Sequence, residues 1–464
     1  MKQLITIIIL AFSLNICFAQ NSSNGISKNI LKEIKKSVKN NAETRALINA
    51  ISSNDIQKLS LNRANYKKVS HYFTHRVKTK GITNQKSSGR CWLFTGLNIL
   101  RPKVIDKLNI KNFEFSQSYS FFFDQLEKSN LFLEAIIATG KKEKEDKTVD
   151  WLFKNPISDG GQWTTFADIV EKYGLVPKSA MPETYHSENT KLLSRLLRKK
   201  LREDGMDLRE LIKKGKGQKF IQKVKIEMLS DIYRILILTL GNPPTKFTWQ
   251  YELKPGIYSE YKNYTPQEFY IEMVGINLKD YVMLMNDPSR DYNKLYEIEY
   301  DRSLIEGCNW KYINLTADKI KSFAEASILN NEAMYFSCDV GKQLNREYGT
   351  LDLANYSYGD LLGVEFGMDK NQRIQTYESG SSHGMSLMGF NYGENGKIDK
   401  WLLENSWGPT SGHKGFLTMT DEWFDEYMFR LIIHKKYIDD KTLKILESEA
   451  IMLPPWDPMF VPEQ

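Results

Sequence analysis

The sequence predicts an α+β chain of two lobes, helical in its first part and strand-rich in its last third, with a long helical segment between them. Three observations predict it. From residue 91 onward, apolar residues make helix-compatible runs at 91–100, 117–128 and 162–173. The last third changes to short apolar or alternating runs bounded by Gly, Asn and Asp, at 333–340, 385–390, 400–403 and 415–419. Chemistry-bearing side chains are divided between the two regions: a cysteine after a Ser/Gly turn in the first, a histidine and an asparagine in the second.

Taken in order, residues 1–19 read as a cleavable export signal. Met1-Lys2 gives a positive start, an apolar run follows from Leu4 to Phe12, and Ala19 is the expected cut before Gln20. A buried N-terminal helix is the alternative, but the polar run 20–28 follows at once. Lipidation at Cys17 is disfavoured by the preceding Asn15 and Ile16. No other run is long enough to span a membrane, so a periplasmic or secreted chain is expected. Residues 20–70, rich in Lys, Asn and Ser, read as an N-terminal arm. Residues 71–180 read as the helical lobe, where 117–128 sets Tyr119, Phe122, Phe123 and Leu126 on one side.

Residues 181–325 read as a helical insertion. Leu192, Leu193, Leu196, Leu197 and Leu201 recur at helical spacing among Arg195, Arg198, Lys199, Lys200 and Arg202, a basic face most simply solvated. Thr265-Pro266-Gln267-Glu268 is a capping box with proline at the first helical position. Residues 326–450 form the strand-rich lobe and 451–464 a tail. A length of 464 residues allows such a division. Hydrophobic content of 41% places the chain among ordinary folded proteins, and a net charge of +7 is too mild to demand a nucleic-acid partner.

The chemistry concentrates in Asn84-Gln85-Lys86-Ser87-Ser88-Gly89-Arg90-Cys91-Trp92-Leu93-Phe94, in Ser382-His383-Gly384 and in Glu404-Asn405-Ser406-Trp407-Gly408. Cys91 at the start of a helix is a thiol whose ionisation the positive helix end favours. An imidazolium at His383 completes a thiolate–imidazolium pair, and Asn405 orients the ring. Trp407 shields that contact from water. The Gln85 amide and the Cys91 backbone N–H suit a developing oxyanion.

A Cys, then His, then Asn, with Gln ahead of the Cys, is the papain-type constellation. His71, His75, His186, His413 and His434 lack such context and read as structural or surface groups. Cys308 and Cys338 can pair in an oxidising compartment, but a buried free thiol at Cys338 is the preferred reading. No metal-ligand spacing and no phosphate loop is present, so neither metal nor cofactor is expected. His383 follows Cys91 by about 290 residues where papain-type enzymes use about 130–150, so about 150 residues are inserted between the lobes, at 181–325.

The chain resembles the bleomycin hydrolase and aminopeptidase C family of papain-like cysteine peptidases, from about Asn84 to Met459. Besides the stretches quoted, Asp159-Gly160-Gly161-Gln162-Trp163, Phe247-Thr248-Trp249, Asn286-Asp287-Pro288, Cys338-Asp339-Val340-Gly341-Lys342 and Trp456-Asp457-Pro458-Met459 carry the resemblance. It implies a cysteine aminopeptidase acting on peptides with a free N-terminus, assembled as a homohexamer. It also implies that Gly160 and Gly161 bind substrate backbone, that Trp407 is a further substrate-binding residue, and that the tail lies in the cleft. The Gln464 carboxylate would then pair with the substrate amine. The chain departs from the family in its export signal and in a tail that ends Phe460-Val461-Pro462-Glu463-Gln464. Two alternatives stand beside this reading: an endopeptidase or acyl transferase on the same Cys–His–Asn site, and a basic channel protein that holds nucleic acid.

Overall fold

A computed structural model describes residues 24–79 and 81–460. The proposed signal at 1–19 and the terminal Gln464 lie outside the described residues. The chain divides after Ser60 into two units. Within the first, the helices Lys28–Lys36, Ala42–Ser52 and Ile56–Leu59 bury no residue, and the boundary after Ser60 falls short of the expected arm at 20–70. Each starts at a side-chain cap, from Ser27, Asn41 and Asp55 respectively.

In the second unit, the helix Cys91–Leu108 runs past the expected end at residue 100 and through Pro102, because Val104 and Ile105 continue its buried face. It packs with Gln117–Ala138 and Trp163–Tyr173, capped by Ser116 and Gln162, around a core that includes Trp92, Phe121, Phe122 and Phe166. The long helices Lys191–Lys213 and Gln218–Leu240 cover this core through Leu193, Leu197, Leu201, Ile232 and Leu236. The capping box at Thr265 is present, with proline at the start of Pro266–Met273.

Among the described residues, one mixed sheet of 12 strands accompanies two small two-stranded sheets, Phe247–Trp249 with Lys262–Tyr264 and Glu252–Lys254 with Ile257–Tyr258. Its order is Leu344–Asn345, Thr350–Leu351, Phe416–Thr420, Ile398–Glu404, His383–Tyr392, Met334–Cys338, Met428–His434, Tyr281–Met285, Lys311–Asn314, Lys294–Ile298 and Ile451–Leu453. His75–Arg76 adds to His383–Tyr392 outside that path. The four strands read at 333–340, 385–390, 400–403 and 415–419 are all present. The helical reading of 181–325, however, fails over 247–264, where four short strands pair, and over 281–314. There Tyr281–Met285, Lys294–Ile298 and Lys311–Asn314 are strands of the main sheet. A run such as Tyr281-Val282-Met283-Leu284-Met285, buried from its second residue on, has no alternation to distinguish strand from helix.

The sheet's two faces feed two cores. Tyr335, Phe429 and Ile432 face the helices, while Phe336, Leu431 and Ile433 face a second cluster with Trp401, Trp423 and Phe424. The helical lobe and the sheet are joined by a buried ion pair. Arg101, on the Cys91 helix, meets Glu404 at 2.8 Å, with both side chains 1% exposed. Thr79 and the Gly81 carbonyl add hydrogen bonds to it, those on the arginine side all through Nη2. Glu404 immediately precedes Asn405, so this pair fixes the nucleophile helix to the strand end that carries the asparagine.

Candidate active site

Cys91 is the first residue of its helix, and Arg90, the residue before it, makes no side-chain cap. The first N–H groups of a helix have no acceptor within it, so this end directs N–H groups and positive partial charge toward the thiol. Arg90 is buried and held by Glu183 through two hydrogen bonds of 3.1 and 2.8 Å, which anchors the turn before the helix. The Cys91 sulfur faces the backbone N–H groups of Gly384 and Trp92. Gly384 follows His383, so helix and strand meet at the two reactive residues. A Cβ at Gly384 would stand 3.2 Å from both Thr95 Oγ1 and the Tyr335 hydroxyl, so glycine permits this approach.

His383 opens the strand His383–Tyr392 opposite Cys338 and is 7% exposed. Its Nε2 lies 2.9 Å from Asn405 Oδ1, which also accepts the Ser406 N–H at 2.7 Å. An oxygen already accepting one hydrogen calls for a hydrogen on Nε2, so Nδ1 is the nitrogen left free to take the thiol proton. Trp407 lies against the imidazole, ring centroids 4.8 Å apart.

Gln85 is held at both ends. Its Oε1 accepts the Ser406 hydroxyl at 2.6 Å, its N–H donates to the Ser406 carbonyl at 2.8 Å, and Nε2 donates to the Ser88 carbonyl at 2.7 Å. An amide nitrogen carries two hydrogens, so one remains for a ligand beside the Cys91 helix start. The four sequence-predicted catalytic residues thus meet in one cleft.

Burial governs the charges. It pushes the Cys91 thiol up, and Asp159 adds to this; the Gly384 and Trp92 N–H groups and Arg430 pull it down. Burial also lowers His383 to about 4 against the opposing Asn405 bond. The expected thiolate–imidazolium pair is therefore opposed at both members, because each charge taken singly loses its hydration.

Gly160 and Gly161 run beside Trp92, whose indole N–H donates to the Asp159 carbonyl at 2.9 Å. A Cβ on Gly161 would meet that indole at 2.8 Å, and the Gly161 N–H and C=O have no partner among the described residues. The Asp159 carboxylate accepts the Gly89 N–H at 2.8 Å, tying this segment to the nucleophile turn. The tail is described as far as Phe460, which packs on Trp310 at 4.9 Å. Asp457 pairs with Arg290.

Sequence reasoning missed Arg430 and Asp301. The Arg430 guanidinium stacks on Trp310 at 3.8 Å and acts electrostatically on both Cys91 and Asp301. Its Nε has no hydrogen-bond partner among the described residues. Asp301 accepts from Gln162, the residue after Gly161. An arginine inside a strand that is otherwise apolar up to its terminal His434 was the available signal. Cys308 is exposed, Cys338 is buried on its strand, and both are free thiols. Among the described residues no His, Cys, Asp or Glu cluster is arranged to hold a metal, and no helix is long and apolar enough to cross a membrane.

The Peptidase C1-like family model matches residues 25–460. The chain belongs to that family. It is 40% identical to human bleomycin hydrolase over 94% of this chain and 99% of that one. To aminopeptidase C of Listeria innocua it is 38% identical, over 88% and 92%. The crystal structure of PepW from Lactobacillus rhamnosis superposes with a TM-score of 0.91 at 36% identity, covering 95% of this chain and 99% of that one. The fold is the papain-like α+β fold, and the chain is an enzyme of the cysteine aminopeptidase type.

Proposed function

We propose that this enzyme removes residues from the N-terminus of peptides through a thioester on Cys91. The observation that carries the proposal is the convergence of the Cys91 helix start with a His383 ring whose Nε2 is held by Asn405. Nδ1 of His383 takes the thiol proton as the sulfur attacks the scissile carbonyl. The carbonyl oxygen gains the negative charge and is met by the Cys91 N–H and the free hydrogen of Gln85 Nε2. Collapse breaks the C–N bond, and His383 returns its proton to the leaving amine. Water, deprotonated by the same ring, then releases the acyl group and restores the thiol.

The unpartnered backbone of Gly161 supports placing the acyl half of the substrate beside it. Selection of a free amine by the Gln464 carboxylate belongs to the same proposal, as do export after cleavage behind Ala19 and assembly as a homohexamer. A panel of amino-acid arylamides, each with an N-acetylated twin, tests the core reading. The free amines should turn over, the acetylated twins should not, and Cys91→Ala should be inactive on both. Turnover of acetylated internal peptides at equal rates would make the enzyme an endopeptidase. Deleting residues 460–464 should open the cleft to N-blocked peptides if the tail performs the selection. Sedimentation and N-terminal sequencing of exported protein test assembly and cleavage.

A further inference from the structure

We propose that Arg346 anchors a carboxylate on the leaving-group side of the cleft, so that the best substrates are short peptides whose departing portion ends in, or carries, a carboxylate. The inference rests on the peptidase reading above and names a specificity that reading leaves open. The leaving amine must depart beside the group that protonates it, which is His383. Next outward from the His383 ring comes Trp407, at 4.8 Å between centroids. On that indole lies the Arg346 guanidinium, its central carbon 4.7 Å from the ring centroid. Cys91, His383, Trp407 and Arg346 thus form a sequence running from the acyl carbon toward the departing chain. The positive charge of Arg346 is felt at His383, where it opposes ring protonation.

Arg346 differs from the other arginines near the cleft in being both unpaired and exposed, since Arg430, also without an ion pair among the described residues, is half-buried on Trp310 beside Cys91 and Asp301. Arg90 is paired with Glu183 and Arg101 with Glu404. Arg346 is exposed and has neither an ion pair nor a hydrogen bond among the described residues. The carboxylate next to it in sequence, Glu347, is engaged by the Tyr66 hydroxyl at 3.5 Å.

Its backbone is nevertheless fixed. It sits in the turn between Leu344–Asn345 and Thr350–Leu351, where Asn345 Oδ1 accepts the Tyr348 N–H at 3.0 Å and the Asn345 carbonyl accepts the Gly349 N–H at 2.8 Å. The strand after the turn pairs with Phe416–Thr420 of the main sheet. A guanidinium laid on an indole from a rigid turn, with all its donors free, is preorganised for a carboxylate. An extended chain advances about 3.3–3.6 Å per residue, so a departing portion of one or two residues brings its terminal carboxylate into reach of the arginine. An Asp or Glu side chain at those positions offers the same chemistry.

The test compares kcat/KM on matched peptides that share the N-terminal residue. One pair has a one- or two-residue departing portion ending in a free acid or its amide. A second pair, both C-terminal amides, carries Asp or Asn in that portion. An aminoacyl arylamide, which bears no carboxylate, reports on the rest of the site. The wild-type enzyme should prefer the acid of a pair by about tenfold, the scale of one charge-assisted contact at an accessible site. Arg346→Gln should abolish the preference, read as the ratio of acid to amide rates, with the arylamide rate moving by the same factor as the amide through the charge lost near His383, and Arg346→Lys should keep part of the preference.

A preference confined to the first pair identifies the chain-terminal carboxylate as the ligand, and one confined to the second identifies a side-chain acid; either supports the anchor. Equal rates on acid and amide in an enzyme active on the arylamide overturn it. So does an Arg346→Gln variant that loses activity on all substrates alike, since Arg346 would then act only by supporting Trp407. Absence of arylamide turnover in the wild type would instead count against the peptidase reading itself.

Discussion

Cys91 stands on the first residue of an 18-residue helix and is surrounded by backbone N–H groups, whereas His383 stands on the first residue of a strand and is fixed by side chains. The thiol side relies on a helix end, on the Gly384 and Trp92 N–H groups and on the charge of Arg430. The imidazole side relies on Asn405 at 2.9 Å and on the Trp407 ring. No substitution but proline removes a backbone N–H, so apart from the Arg430 charge the environment of the thiol is robust to most changes around it. The imidazole depends on a few replaceable side chains. The two sides are coupled by Gln85, whose amide touches Ser406 on one side and Ser88 on the other, and by the Arg101–Glu404 pair.

The largest expected effect removes one reacting group from each side. Cys91→Ser and His383→Ala should each lower kcat by about 10⁵–10⁶-fold, and the double variant should be little worse than either, because the two act as a unit. Steady-state rates on one arylamide decide this. Additive losses would mean that the two sides act in separate steps. Stoichiometric alkylation should map to Cys91; label on Cys308 with loss of activity would reassign the nucleophile.

Next comes the coupling between the sides. Arg101→Met leaves Glu404 charged and buried without its partner and should cost about 3–5 kcal/mol of stability, read as the shift in urea midpoint. Arg101→Met combined with Glu404→Leu should recover much of that loss, because the uncompensated charge is gone. If the single variant is as stable as the wild type, the pair does not hold the lobes together.

Gln85→Ala tests the oxyanion assignment. One donor to a developing oxyanion accounts for about 3–4 kcal/mol of the barrier, so kcat should fall by about 10²–10³-fold with KM nearly unchanged. A rise in KM with kcat intact would make Gln85 an ordinary binding contact.

How much of this was legible in the sequence follows the same division. Gln85, Cys91, His383 and Asn405 each sit at a turn or element boundary with its own local signature, and the structure brings all four together. The strands at 281–314 were hidden because a strand buried on both faces loses the alternation that identifies it, as in Tyr281–Met285. Pro102 within the Cys91 helix is tolerated because burial of Val104 and Ile105 outweighs one lost hydrogen bond, which local propensity does not register. Arg430 and Asp301 were invisible for a different reason. Their significance depends on being carried to Cys91 and Gln162 from far along the chain, and a single charged residue has no spacing to read.

The smallest expected effect, on stability, asks which protonation state the resting cleft holds. Burial lowers His383 from 6.5 to about 4, while the same ring in the unfolded chain titrates near its ordinary value. Between those two values the unfolded state binds the proton and the folded state does not. Stability from this group is therefore full above pH 6.5 and is lost as pH falls toward 4, by about 3 kcal/mol in all at 1.36 kcal/mol per unit. His71, which burial also lowers to about 4, contributes in the same direction but is unchanged by substitution at His383. The difference in acid sensitivity between wild type and His383→Gln, taken from urea midpoints across that range, isolates the active-site ring. A wild type that loses more stability than the variant on acidification indicates a neutral thiol and imidazole at rest, with the proton moving only when substrate arrives. A resting thiolate–imidazolium pair would raise the folded-state pKa of the ring instead. The variant would then be the more acid-sensitive of the two, and the stability that His383 provides would disappear as pH rises.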